Sequence, residues 1–241
     1  MVKLRDGSEV RDRRLARLRE FDPRSRAHKI TDVIGRKAPR NHTWHCGKHL
    51  DQGEEGACVG FATTHAMITL RPSLPGLTGR FATKQVYWEA QKADRWPGGS
   101  YPDAEPHYEG TSVLWAMKRM RELGYLASYR WAFGIDDLIL AVSWAGPAVL
   151  GLWWYEGMAD PCACGYLHPT GKRTGGHAIL CKGVDVDRGH FVLHNSWGRA
   201  WGQRGDARIG FSDMNWLLKQ DGEAVIPTLA RKPPKPAAKR R

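Results

Sequence analysis

The chain changes texture at Pro147, and that break limits it to a small set of folds. Before it, apolar residues recur at helical spacing. After it, short apolar runs are cut by Gly, Asp and Pro. Residues 58–70 carry Val59, Phe61, Ala62, Ala66, Met67 and Leu70, the content of a largely buried helix that Arg71-Pro72 closes. Further helices are predicted over 83–93, ended by Trp96-Pro97-Gly98-Gly99, and over 136–143. Another is predicted over 112–123, opened by Thr111 or Ser112 and closed by Gly124. Strands are predicted over 148–154, 178–184, 190–194 and 206–211. Helices first and strands later predict an α+β protein in two lobes, a mainly helical one over 41–135 and a β-rich one over 136–228.

The two ends differ from this body in charge. Residues 1–40 hold 13 Lys/Arg against 6 Asp/Glu, and residues 231–241 hold 6 against none, which leaves the body nearly neutral within a net charge of +12. The first segment reads as a basic extension with a short surface helix, spaced by Val10, Leu15, Leu18 and Phe21 and stopped at Pro23. Residues 229–241 read as a basic, Pro- and Lys-rich disordered tail. Such ends suit nucleic acid, an anionic lipid surface or an acidic partner, and they equally suit a plain solubilising role. No apolar run approaches the roughly 20 residues of a membrane span. The opening residues, Met1 to Asp6, lack the apolar core of a secretory signal, so a cytoplasmic setting is expected, with virion association as the alternative. Five cysteines leave at least one thiol unpaired within the monomer.

Two stretches carry chemistry. The first is Gln52-Gly53-Glu54-Glu55-Gly56-Ala57-Cys58, in which an amide and a thiol flank a glycine-bearing turn just ahead of the 58–70 helix. A thiol attacks carbonyl carbon as the thiolate, and the first turn of a helix favours that negative charge. The second stretch supplies His177 in a strand and, further on, Asn195-Ser196-Trp197-Gly198. An imidazole beside the thiol forms an ion pair with it and returns a proton to the leaving amine. The Gln52 amide and the Cys58 N–H together suit a tetrahedral oxyanion.

These blocks resemble those of the papain-like cysteine peptidases. Gln52, Gly53, Gly56, Cys58 and Phe61 match Gln-Gly-x-x-Gly-x-Cys-x-x-Phe. Asn195, Ser196, Trp197, Gly198, Trp201, Gly202 and Gly205 match Asn-Ser-Trp-Gly-x-x-Trp-Gly-x-x-Gly, and His177 is followed by small and apolar strand residues. The resemblance, weaker outside the blocks, runs over roughly residues 40–225. It implies a two-lobed fold, a helical lobe and an antiparallel β-barrel-like lobe with the site in the cleft between them. It also implies Cys58 as nucleophile, His177 as general acid/base, Asn195 as the group that orients it and Gln52 in the oxyanion hole. Substrate then lies extended in the cleft, where Gly110, Thr111 and Trp197 are the candidate contacts. The expected activity is hydrolysis of a protein or peptide through a Cys58 thioester. An acyl transferase or cross-linking enzyme would share the same triad, and a non-catalytic module docked through its basic ends would share the fold.

Three departures accompany the match. Glu55 stands where secreted relatives often carry a disulfide-bonded cysteine, and Val59 where Trp is common. Residues 1–40 are short for an inhibitory propeptide, although long enough to shield the cleft. His42, His45, Cys46 and His49 crowd one stretch, and Cys162, Cys164 and His168 another. Such donors suit zinc, but neither group has paired Cys-x-x-Cys spacing, and no metal or cofactor is assigned.

Overall fold

The computed structural model describes residues 1–20, 22–232 and 234. Two short strands near the start, β1 (Val2–Lys3) and β2 (Glu9–Val10), pair as a hairpin. The main sheet is formed by β3 (His42–Thr43), β4 (Leu126–Ala132), β5 (Ala148–Tyr155), β6 (Arg173–Asp185), β7 (His190–His194), β8 (Asp206–Gly210) and β9 (Glu223–Leu229). Its order is β4-β9-β5-β6-β7-β8, with β3 added against β6, and every ladder is antiparallel. The path ends at β4 and β8. Among the described residues the sheet is therefore open, and the barrel-like closure expected of the β-rich lobe does not form.

Both faces of the central strands are covered, which explains their continuous apolar runs. Alternate residues Leu150, Leu152, Ile179 and Cys181 face one core, with Leu138 and Val142 of the Ile135–Trp144 helix and Met214 and Leu217 of the Phe211–Lys219 helix. Val149, Ala178 and Leu180 face the other core, with Met67 of the Cys58–Leu70 helix and Leu114, Met117 and Met120 of the Val113–Glu122 helix. The Cys58–Leu70 helix is buried from Cys58 through Thr69. A helix apolar on all sides has no water-facing stripe, so it lies inside.

Local chemistry sets the other boundaries. The Ser112 hydroxyl, not Thr111, caps the Val113–Glu122 helix by accepting from the Trp115 N–H, and Gly124 follows at φ 77. The helix predicted over 83–93 begins earlier, as Gly79–Phe81 running through a π-type segment Ala82–Tyr87 into Trp88–Ala93. Among the longer elements, β4, β9 and the Phe211–Lys219 helix carry no clear sequence pattern. Pro227 interrupts β9 as a sequence signal. It lies beyond the three β5–β9 pairs, so its missing N–H breaks no bond to β5.

The surface helix expected near residues 10–21 is not formed among the described residues, and Phe21 lies outside them. Val10 is in β2, and Leu15, Ala16, Arg17 and Leu18 form an extended, buried segment. Tail residues 233 and 235–241 lie outside the described residues. No helix among the described residues is long and apolar enough to cross a membrane.

Candidate active site

Cys58 is the first residue of its helix, and its sulfur lies against the main-chain N–H groups of Ala178, Ala16 and Val59. Ala178 follows His177 on β6, so the strand that carries the imidazole also lines the thiol. His177 is fully buried, and its Nε2–H donates to Asn195 Oδ1 at 2.8 Å. An amide oxygen only accepts, which fixes the proton on Nε2 and leaves the Nδ1 lone pair without a partner. Asn195 is held just past β7: its N–H donates to the Gly205 carbonyl and its Oδ1 also accepts from the Ser196 N–H. Trp154 and Trp197 pack against the ring at 4.7 and 4.8 Å and exclude water from the His177–Asn195 bond.

Gln52 is pinned on both sides. Its N–H donates to the Ser196 carbonyl, its Oε1 accepts from the Ser196 hydroxyl at 2.7 Å, and its Nε2 donates to the Glu55 carbonyl at 2.7 Å. Nε2 also points at the carbonyl of Arg14, 3.4 Å away. Glu55, whose charge would work against a thiolate, is turned away and accepts from the Thr83 hydroxyl.

The chain's own residues 12–18 fill the cleft. The Arg17 N–H donates to the Gly176 carbonyl and the Leu18 N–H to the Thr111 carbonyl, each at 2.9 Å, so the segment pairs with both walls. Ala16 lies over Cys58, and neither residue is exposed to solvent. All three candidate substrate contacts touch this segment. A side chain on Gly110 would strike the Ala16 carbonyl, Thr111 pairs with Arg17, and Trp197 is covered by the Arg14 guanidinium at 4.2 Å. Short as it is for a propeptide, the N-terminal segment provides the shielding the sequence left open.

Largely buried carboxylates hold it and the hairpin before it. Arg5 meets Asp94 at 2.7 Å with both side chains essentially inaccessible, Arg13 meets the buried Glu109, and Arg17 meets Glu223 at 2.7 Å. Glu109 is fixed in turn by the Tyr87 hydroxyl, which donates to it and accepts from the Gly110 N–H. Three arginines of the N-terminal region are thus engaged with the body of the protein. These carboxylates, with Ser196 and Trp154, are parts of the site that the motifs did not reveal; Ser196 alone stood inside a recognised block.

Burial bears on the protonation of the site. Burial pushes the Cys58 thiol up to about 11, against the lowering effect of the N–H groups around it. Burial likewise brings His177 down to about 4, although Asn195 and the Arg14 carbonyl favour its charged form. The covered pair is therefore a neutral thiol and a neutral imidazole.

The two His/Cys groups separate. Cys162 and Cys164 are joined in a disulfide, and their sulfurs and a His168 nitrogen fall within 4.8 Å of one another. Cys46 and His49 lie instead by His194, whose ring also packs on His65. Burial opposes a charge on His194, but Asp206, 2.6 Å from Nδ1, and the Cys46 thiol raise it to about 9.

No family model matches the chain. In sequence it is similar to cathepsin B-like cysteine proteinase 5 of Caenorhabditis elegans, 34% identical over 90 residues, which are 36% of this chain and 26% of that one. It is also similar to cathepsin B-like protease 1 of Arabidopsis thaliana, 28% identical over 143 residues, 54% of this chain and 37% of that one. The matches thus span about a quarter to a third of the relatives' length. In structure it is similar to xylellain, a cysteine protease from Xylella fastidiosa. That TM-score is 0.72 at 16% identity, covering 93% of this chain and 99% of the other. A digestive procathepsin L 3 of Tenebrio molitor gives 0.58 at 15% identity, over 92% and 76%. At these identities the structural likeness speaks for the fold.

Proposed function

We propose that this chain is a papain-like cysteine peptidase and that it hydrolyses peptide bonds through a Cys58 thioester. The observation that supports this reading is the placement of the four residues around the covering segment: Cys58 at a helix start against the N–H groups of Ala178 and Ala16, His177 next to Ala178 on β6, Asn195 accepting from its imidazole, and Gln52 with Nε2 aimed at the Arg14 carbonyl.

With residues 12–18 out of the cleft, water and substrate reach the thiol, and the charge separation that burial opposes becomes accessible. The Cys58 proton passes to Nδ1 of His177, and the helix start supports the thiolate. The sulfur attacks the peptide carbonyl carbon. The oxygen takes up negative charge between the Gln52 amide and the Cys58 N–H. The C–N bond then breaks as His177 returns its proton to the leaving amine, giving a thioester. A water deprotonated by His177 cleaves the thioester and regenerates the thiol. Asn195 keeps Nδ1 directed at sulfur and substrate throughout.

The test compares hydrolysis of fluorogenic peptides by the wild-type chain and by Cys58→Ser, under reducing conditions, with N-terminally docked and loosened forms of the enzyme. Turnover that disappears with the sulfur supports the reading. Equal turnover by Cys58→Ser overturns it.

A further inference from the structure

We propose that the loop after β5 carries a second site: with its disulfide reduced, Cys162, Cys164 and His168 bind one borderline-soft divalent cation, zinc above all. The site lies outside the cleft, and the inference does not depend on the reaction performed there.

Among the described residues this is the one group of three His, Cys or carboxylate donors that converges, with two sulfurs and a ring nitrogen within 4.8 Å of one another. The pair lacks Cys-x-x-Cys spacing, and the fold of the loop supplies what spacing does not. The Cys162 N–H donates to the Tyr166 carbonyl at 2.9 Å and the Gly165 N–H to the Cys162 carbonyl at 2.7 Å. Gly165, at φ 83, allows this reversal. The Tyr166 N–H then donates to Cys162 Sγ at 3.4 Å. An N–H aimed at sulfur favours the thiolate, the form that ligates a metal. The turn is anchored on β8 from both sides. The Arg208 N–H donates to the Gly165 carbonyl and the Leu167 N–H to the Arg208 carbonyl, each at 2.8 Å. His168 follows the buried Leu167, so fixed backbone delivers the imidazole.

His168 is oriented as a ligand. Its Nδ1 lies 3.1 Å from Oδ2 of Asp213, in the first turn of the Phe211–Lys219 helix. A carboxylate only accepts, so the proton sits on Nδ1 and the Nε2 lone pair is left to ligate. Metal-bound imidazoles characteristically donate their other N–H to a carboxylate in this way. The His168 side chain is half exposed and that of Asp213 a third, so as a plain ion pair the contact counts for little. The same exposure lets an ion enter from solvent.

Two thiolates and one imidazole select zinc over a hard cation and leave the fourth tetrahedral position to water. Disulfide and metal exclude each other. A thiol reductant takes the S–S bond by exchange, two of its own thiols becoming a disulfide, and leaves two cysteine thiols. Each of these loses one proton as the ion binds. Either cross-link closes the same loop. That loop presents the Ala159 carbonyl to the Trp201 Nε1–H at 2.8 Å, and Trp201 packs on Trp197 beside His177. The wall next to the imidazole is thereby braced in both redox states.

The test reads metal binding. Full-length protein carrying Cys58→Ala, which removes the cleft thiol as a competing ligand, is reduced with a phosphine and titrated with Zn²⁺ against a chromogenic chelator. Co²⁺ in place of Zn²⁺ reports sulfur ligation through its charge-transfer band. The expected result is one ion per chain with that band present. Asp213→Asn is expected to weaken binding about 10- to 100-fold, the usual cost of an outer partner, and Cys162→Ser or Cys164→Ser to weaken it further. His168→Gln, at an exposed position, replaces the serine variants should they fold poorly. Oxidised glutathione in excess, with the Cys162–Cys164 bond verified by peptide mapping, is expected to release the ion. No ion bound by the reduced chain, binding unchanged in the serine and His168→Gln variants, or an ion held equally after oxidation overturns the proposal.

Discussion

The main-chain N–H of Arg17 donates to the carbonyl of Gly176 at 2.9 Å, one residue before the imidazole of His177. The N-terminal segment therefore pairs by isolated bridges with the site it covers, and Cys58 beneath it has no exposed surface. Four expectations follow from that geometry.

A methyl group on Gly176 would stand 2.2 Å from the Arg17 carbonyl, a contact that only backbone movement can relieve. Gly176→Ala is expected to lift the covering segment and speed alkylation of Cys58 by iodoacetamide about 10-fold or more, an opening shift of at least about 1.4 kcal/mol. Peptide mapping by mass spectrometry separates Cys58 from Cys46 and Cys181, the other two free thiols. An unchanged rate at Cys58 would mean that the segment does not control access.

Gln52 holds its place through Ser196 and presents Nε2 to the Arg14 carbonyl. Gln52→Ala is expected to lower kcat by about 10²- to 10³-fold, the loss of one oxyanion donor, with a smaller change in KM. Steady-state kinetics on a fluorogenic peptide checks this. A pure KM effect would reassign Gln52 to ground-state binding.

Asn195→Ala removes the acceptor that fixes the His177 proton on Nε2. Expected is a fall in kcat of at least about 10-fold, within the range carried by a positioned acid/base. The buried Asn195 also ties β7 to Gly205 through its main chain, which the substitution leaves intact. An unaltered kcat would show that the tryptophans alone hold the ring.

The pH dependence of stability has a definite sign. Burial lowers His177 from 6.5 to about 4, so the unfolded chain binds a proton that the covered fold excludes. Stability from this group is complete above pH 6.5 and is lost as pH falls toward 4, by on the order of 3 kcal/mol. Cys58, raised from 9.0 to about 11, costs stability in the opposite direction, as pH climbs through 9 to 11. Urea titrations of wild type and His177→Gln at pH 7 and pH 5 isolate the first effect: the wild type should lose more on acidification. Equal losses would remove His177 as the source.

The proposed catalytic blocks stand out in the sequence because such chemistry is written in residue types. A glutamine, two glycines and a cysteine ahead of an apolar run leave few other uses, and Asn195-Ser196-Trp197-Gly198 is equally specific. The central strands were legible because a strand covered on both faces is apolar throughout, as in β5 and β6. The role of residues 12–18 was not. Leu15 and Leu18, three apart, imitate a helix, whereas Leu15, Ala16, Arg17 and Leu18 are all buried in an extended segment whose contacts come from Gly176 and Thr111. Nor could Arg17 be matched with Glu223 across 206 positions of sequence, since a charged residue at either place reads as surface. The pairing of β4 with β9 was hidden for the same reason: each strand is marginal alone, and the other completes it.

Cys58 is proposed to cut peptide bonds once residues 12–18 have left the cleft. The most direct measurement incubates a denatured mixed-protein substrate, under reducing conditions, with wild type, with Gly176→Ala and with the Gly176→Ala, Cys58→Ala double variant, and identifies the new chain ends by mass spectrometry. The expected result is new ends from wild type, more from Gly176→Ala and none from the double variant. New ends in equal number without the Cys58 sulfur, or none from the uncovered enzyme, would contradict it.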